Sequence, residues 1–173
     1  MVLNNIVVKK KASKDKGQLS LDILSLQPVL EKSFQTYLSK NPHFHTVKKV
    51  NLTMTLCGKA KIKKLNHSYR QKNYATDVLS FPLYDNIRPD KKVKEQLFRE
   101  IDLGDIVICK EVAKSQAQEF GITFEQEVIH LAVHGLLHLL GFDHEISKKE
   151  EKIMEAHESE LVNKIYKKLK KIV

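Results

Sequence analysis

The chain reads as an α+β protein: a small mixed sheet of about four strands packed with about five helices, one buried and carrying a histidine motif. Three observations lead there. Short alternating or β-branched runs recur at residues 47–56, 78–83 and 103–109, as half-buried strands do. Leu26, Val29, Leu30, Phe34 and Leu38 fall at helical spacing. Beyond residue 110 the pattern is helical throughout. At 173 residues the chain has room for one real core, so residues 1–173 are expected to form a single domain.

Residues 2–8 alternate weakly and are expected to be the first strand, with residues 9–16 a polar, basic connector. A helix over 24–38 ends at Asn41-Pro42. Residues 47–56 place Val50, Leu52, Met54 and Leu56 on one face of a strand, and Gly58 stops it. A short helix over 59–69 follows. The strand at 78–83 stops near Pro82, and residues 84–100, rich in Asp, Asn, Lys and Pro, read as an exposed loop. The strand at 103–109 leads into a helix over 110–119 that Gly121 ends. Thr123 with Gln126 three residues on is a capping box. The helix it opens runs to residue 140 and is apolar nearly all round after Val128, which places it at the centre of the domain. A Lys-rich helix over 147–171 closes the chain, with Leu161, Ile165, Leu169 and Ile172 on one face.

The chemistry concentrates in His134-Gly-Leu-Leu-His138-Leu-Leu-Gly-Phe-Asp-His144. Four helical residues turn about 400°, so His134 and His138 stack on one face. Gly141 can take the left-handed conformation that ends a helix and turns the chain back, bringing His144 to the same point. Three neutral imidazoles with a fourth position open are the ligand set of a catalytic zinc ion. Burying three imidazoles in so apolar a run costs desolvation unless something satisfies them. His130, on the same stripe, reads instead as a hydrogen-bonded core histidine. Zinc proteases place Glu directly after the first His as general base; here that position is Gly135, which argues for a substrate other than a peptide.

The bulk properties agree with a soluble globular protein. Hydrophobic content of 42% and charged content of 29% are those of a globular protein. Met1–Val8 is followed at once by lysines, so no signal peptide is expected, and no run is long enough for a bilayer. Cys57 and Cys109, without a C-x-x-C, read as reduced, buried small hydrophobes of a cytoplasmic protein. The formal charge of +9, from 30 Lys and Arg against 21 Asp and Glu, favours a polyanion such as nucleic acid. A lysine-biased composition accounts for the charge equally well, since only Arg70, Arg88 and Arg99 are arginines. The lysines of the last helix read as a solvated face.

The histidine segment resembles the signature of the bacterial YbeY endoribonuclease family. Two further segments carry the resemblance: Leu65-Asn-His-Ser-Tyr-Arg70 running into Ala75-Thr-Asp-Val-Leu-Ser-Phe-Pro82, and Leu103-Gly-Asp-Ile-Val-Ile108. Together they span roughly residues 45–160. The resemblance implies a zinc-dependent, single-strand-directed endoribonuclease that matures ribosomal RNA, notably the 3′ end of the small-subunit RNA, and acts in ribosome quality control. Its partners would be ribosomal RNA and the ribosome or its assembly factors. It also implies one zinc ion on His134, His138 and His144, with Arg70 as the arginine assisting cleavage. A guanidinium grips phosphate oxygens in a bidentate way that Lys cannot. Phe142 stands where many members have Tyr.

The general base stays open among Asp77, Asp105, Asp143 or no protein group at all. Two other functions remain. One is a metzincin-type peptidase, which Gly135 disfavours. The other is an assembly factor with structural zinc, for which His157 would be the fourth ligand.

Overall fold

The computed structural model describes the backbone of residues 6–10, 20–93 and 97–170, and side chains from residue 26 onward within those ranges. The elements in chain order are β1 (Ile6–Lys10), α1 (Ser20–Leu38), β2 (Lys49–Cys57), α2 (Lys59–Arg70), β3 (Val78–Pro82), β4 (Glu100–Cys109), α3 (Lys110–Phe120), α4 (Phe124–Leu139) and α5 (Lys148–Leu169). A single 3₁₀ turn, Pro42–Phe44, lies between α1 and β2. The α+β class expected from the sequence is the class observed. The sheet order is β1-β2-β4-β3, with β1 and β4 parallel to β2 and β3 antiparallel to β4 at the edge.

Several boundaries differ from the pattern reading. Lys9 and Lys10, expected in the connector, belong to β1, because pairing with β2 extends a strand past its last apolar residue. The rest of that connector, residues 11–16, lies outside the described residues, as do residues 2–5 of the expected first strand. Helix α1 begins at Ser20, four residues before the expected start at residue 24, and continues through Pro28. The expected Ile172 contact also falls outside the described residues.

Helix α4 packs on β3 and β4 and is flanked by α1, α3 and α5. Being covered on all sides explains why Val128, Ile129, Ala132, Val133, Leu136, Leu137 and Leu139 are all buried. Its start is fixed as the sequence indicates: Gln126 N–H donates to Thr123 Oγ1 (3.2 Å), and Thr123 N–H to Gln126 Oε1 (2.8 Å). Gly135 is needed for the approach to the sheet, since a Cβ there would lie 2.8 Å from Ile106 Cγ2. Cys57 and Cys109 are buried, free and register partners across β2 and β4.

The segment expected as an exposed loop, residues 84–100, is anchored near its start. Ile87 and Arg88 are buried, Arg88 to 3% exposure. The Arg88 guanidinium makes a bidentate pair with Asp90 (2.9 and 2.8 Å), a second ion pair with Glu150 on α5, and lies 4.4 Å over the Phe142 ring. A planar, always-charged fork can be buried when each edge has an acceptor, which is why composition alone misplaced this residue.

Candidate metal centre

Two pieces of backbone make the site. The last turns of α4 stack His134 over His138, and their Nε2 atoms stand 3.1 Å apart. The helix then ends in a Schellman motif: Gly141 N–H donates to the His138 carbonyl (3.0 Å) and Phe142 N–H to that of Leu137 (3.1 Å). Gly141 takes φ +94°, a conformation open to glycine. The chain reverses, and the His144 ring arrives 5.2 Å from His134 and 5.3 Å from His138, centroid to centroid. One ligand atom from each of the three histidines lies within 4.8 Å of the others, and among the described residues this is the group that could hold a metal ion.

The donor set fits zinc. Ligands about 2.0–2.1 Å from a tetrahedral ion stand about 3.3 Å from one another, close to the 3.1 Å between the two Nε2 atoms. Burial, reinforced by the neighbouring imidazoles, pushes His138 down to about 4, so it is neutral and free to ligate at physiological pH. With His134 Nε2 turned into the cluster, its Nδ1 faces Glu158 Oε1 on α5 at 3.3 Å. A carboxylate behind a ligand histidine fixes the tautomer and the ring orientation. Glu158 escaped the sequence reading because nothing in α5's own pattern says which of its glutamates faces α4.

Phe142 holds the turn between His138 and His144. It is buried under Arg88 on one side and packs 4.9 Å from the His157 ring. His157, the sequence candidate for a fourth ligand, is not in the cluster: its Nδ1 is 2.9 Å from the Tyr37 hydroxyl. His130 is half-buried, edge-on to Tyr166 at 6.0 Å, and burial lowers its pKa. It packs rather than ligates, though less deeply than a core residue.

Arg70 ends α2 with its guanidinium Nη2 3.5 Å from Glu145 Oε1, both groups largely exposed. Glu145 follows His144 directly, so this pair ties α2 to the turn that carries the third histidine. Asp143 is used locally, its Oδ1 accepting Glu145 N–H at 2.9 Å. The Asp77 carboxylate accepts from Val78 N–H (2.7 Å), the Thr76 hydroxyl (2.9 Å) and Gln116 Nε2 (3.0 Å), which makes it a brace between β3 and α3. Asp105 is exposed on β4, opposite Phe81. The Cβ direction at Gly135 leads into Ile106 on the sheet, so the position after the first His could not present a carboxylate to this cluster.

The family described as Endoribonuclease YbeY matches residues 14–166. The chain is 41% identical over 116 residues to Endoribonuclease YbeY of Persephonella marina, covering 67% of this chain and 71% of that one. It is 33% identical over 162 residues to the protein of the same name from a Sulfurihydrogenibium species, covering 94% and 97%. The solution structure of TM1509 from Thermotoga maritima superposes with a TM-score of 0.57 at 27% identity, over 90% of this chain and 89% of that one. Fold, histidine cluster and sequence agree, and the chain belongs to the YbeY endoribonuclease family.

Proposed function

We propose that this chain is a metal-dependent endoribonuclease of one domain, holding one zinc ion on His134, His138 and His144 and cutting single-stranded RNA. The observation that carries the reading is the convergence of three imidazoles from α4 and its Schellman turn, one backed by Glu158. Zinc in such a site supplies Lewis acidity toward a phosphoryl oxygen and acidifies water to near neutrality. The chain's own contribution is orientation and charge. Glu158 keeps the Nδ1 proton on His134 so that Nε2 faces inward. Arg70, tethered to the ligand turn by an exposed pair with Glu145, can exchange that carboxylate for a phosphate, because surface ion pairs are worth at most about 1 kcal/mol.

The natural substrate under this reading is ribosomal RNA, at the 3′ end of the small-subunit RNA and in ribosome quality control, with the ribosome or its assembly factors as partners in the cytoplasm. Among the described residues no helix is long and apolar enough to cross a membrane. The test is cleavage of a labelled ribosomal RNA fragment with a single-stranded 3′ tail, by the wild type and by folded, zinc-free His138→Ala. Cutting by the wild type alone is expected; equal cutting by both sinks the reading. Arg70→Ala should retain zinc and fold and lose cleavage, and full activity in that variant would remove Arg70 from the mechanism.

A further inference from the structure

We propose that the exposed face of α2, with the Tyr69–Phe81 aromatic pair at its end, is the track along which single-stranded RNA reaches the metal centre. The proposal rests on the endoribonuclease reading and adds to it where the strand lies. Between residues 58 and 76 the chain carries Lys59, Lys61, Lys63, Lys64, Arg70 and Lys72 and no Asp or Glu. All six are exposed. Among the described residues none of the five lysines forms an ion pair, and Arg70 has only the long contact to Glu145. A surface charged to this degree without internal neutralisation requires its counter-charge from outside.

The charges are also in line. Lys59, Lys63 and Arg70 stand at i, i+4 and i+11, within about 40° of one another around the helix and over roughly 16 Å of its length. The line ends at the ligand turn, because Arg70 meets Glu145 beside His144. Helix α5, the more obvious basic element in the sequence, offers no such line. Its lysines alternate with glutamates, Lys164 pairs with Glu160, and Lys168 donates to Ser33 Oγ at 3.1 Å.

At the same end Tyr69 is 68% exposed, yet its ring is held edge-on against Phe81 of the edge strand β3, at 4.9 Å and 68°. An exposed ring fixed from behind is a stacking platform whose ordering cost is already met. Asp105 lies opposite Phe81 in the ladder and so on the same face. Its charge excludes phosphate from that point, so the aromatic pair takes a base while α2 takes the backbone. Stacking demands an unpaired base, which selects a single strand over a duplex.

The experiment is anisotropy of a fluorescein-labelled RNA, as a single strand and as the duplex with its complement, at a series of salt concentrations, together with kcat and KM for cleavage of the single strand. The proteins are full-length wild type, Lys59→Gln/Lys63→Gln, Tyr69→Ala and Tyr69→Phe. The double lysine variant should lower the slope of log affinity against log salt by about 1.4, from roughly 0.7 per lost phosphate contact. Tyr69→Ala should weaken binding about 5- to 150-fold and Tyr69→Phe little, from about 1–3 kcal/mol per stacked base. Both effects should appear in KM with kcat retained. The lysine pair is solvent-exposed and tests the track even if Tyr69→Ala fails to fold. Unchanged affinity and salt slope in the lysine variant, with the wild type still cutting, overturn the track alone. A wild type that neither binds nor cuts single strands overturns the parent reading, and a loss confined to duplex binding overturns the single-strand assignment.

Discussion

Two glycines in left-handed conformations separate backbone strain from crowding within one protein. Gly121, which caps α3 at φ +66°, would have no atom within 4 Å of an added Cβ, whereas Gly141 at φ +94° would place that Cβ 2.8 Å from Asn86 Cα and 2.9 Å from Asn86 N. A left-handed L-residue costs about 1–2 kcal/mol, and this is the whole expected effect of Gly121→Ala. Gly141→Ala adds an overlap with backbone that cannot rotate away, a class of overpacking that costs about 1–3 kcal/mol. The expected totals are therefore about 1–2 kcal/mol against about 2–5 kcal/mol. Relief of the overlap must move the turn away from Asn86, and His144 lies three residues further on, so Gly141→Ala should also weaken metal binding while Gly121→Ala should not. Urea unfolding of the chelator-treated proteins measures the first effect, and zinc competition against a chromophoric chelator the second. Equal destabilisation by the two substitutions, or wild-type zinc affinity in Gly141→Ala, would refute the crowding argument.

Other consequences of the site can be checked in the same way. Glu158→Gln should lower zinc affinity by about 10- to 100-fold without unfolding the chain, as losses of such partners do; unchanged affinity would mean that the 3.3 Å contact orients nothing. His157→Ala should weaken zinc binding far less than His138→Ala, and its main cost should be about 1 kcal/mol of stability from the lost Tyr37 hydrogen bond. Equal effects on zinc would restore the four-ligand structural site. Burial, with Asp77 and Glu158 nearby, raises the pKa of the Glu127 carboxyl. Its protonated form therefore favours folding below the ordinary carboxylate range, and that contribution is lost as pH rises. Glu127→Gln should accordingly be more stable than wild type at pH 7 and equal to it near pH 3–4 in urea titrations at the two pH values; a loss of stability at pH 7 would contradict this.

Much of the site was legible because its determinants are local. The spacing of His134 and His138 needs only a helix, and the Thr123–Gln126 box states where that helix begins. Gly141 ends it for a reason confined to one residue's φ. Helix α4 could be placed at the centre of the fold because an element apolar all round has nowhere else to go. Element ends were less legible, as Lys9 and Lys10 show, since pairing with a neighbouring strand carries an element beyond its apolar pattern.

Long-range partnerships stayed hidden. Arg88 looked like one charge in a polar loop; only the positions of Asp90, Glu150 and the Phe142 ring make it a buried anchor behind the ligand turn. His157 looked like a spare ligand until the docking of α5 gave its nitrogen to Tyr37 and turned Glu158 toward His134 instead. Gly135 seemed notable for the carboxylate it lacks, whereas the sheet at Ile106 leaves it no room for a side chain. Sequence by itself determined the histidine motif, its helix and the fold class, because periodicity, capping and spacing act over a few residues. The tertiary structure alone decided which distant side chains support that motif, because the rotation of one helix against another depends on the packing of the whole core.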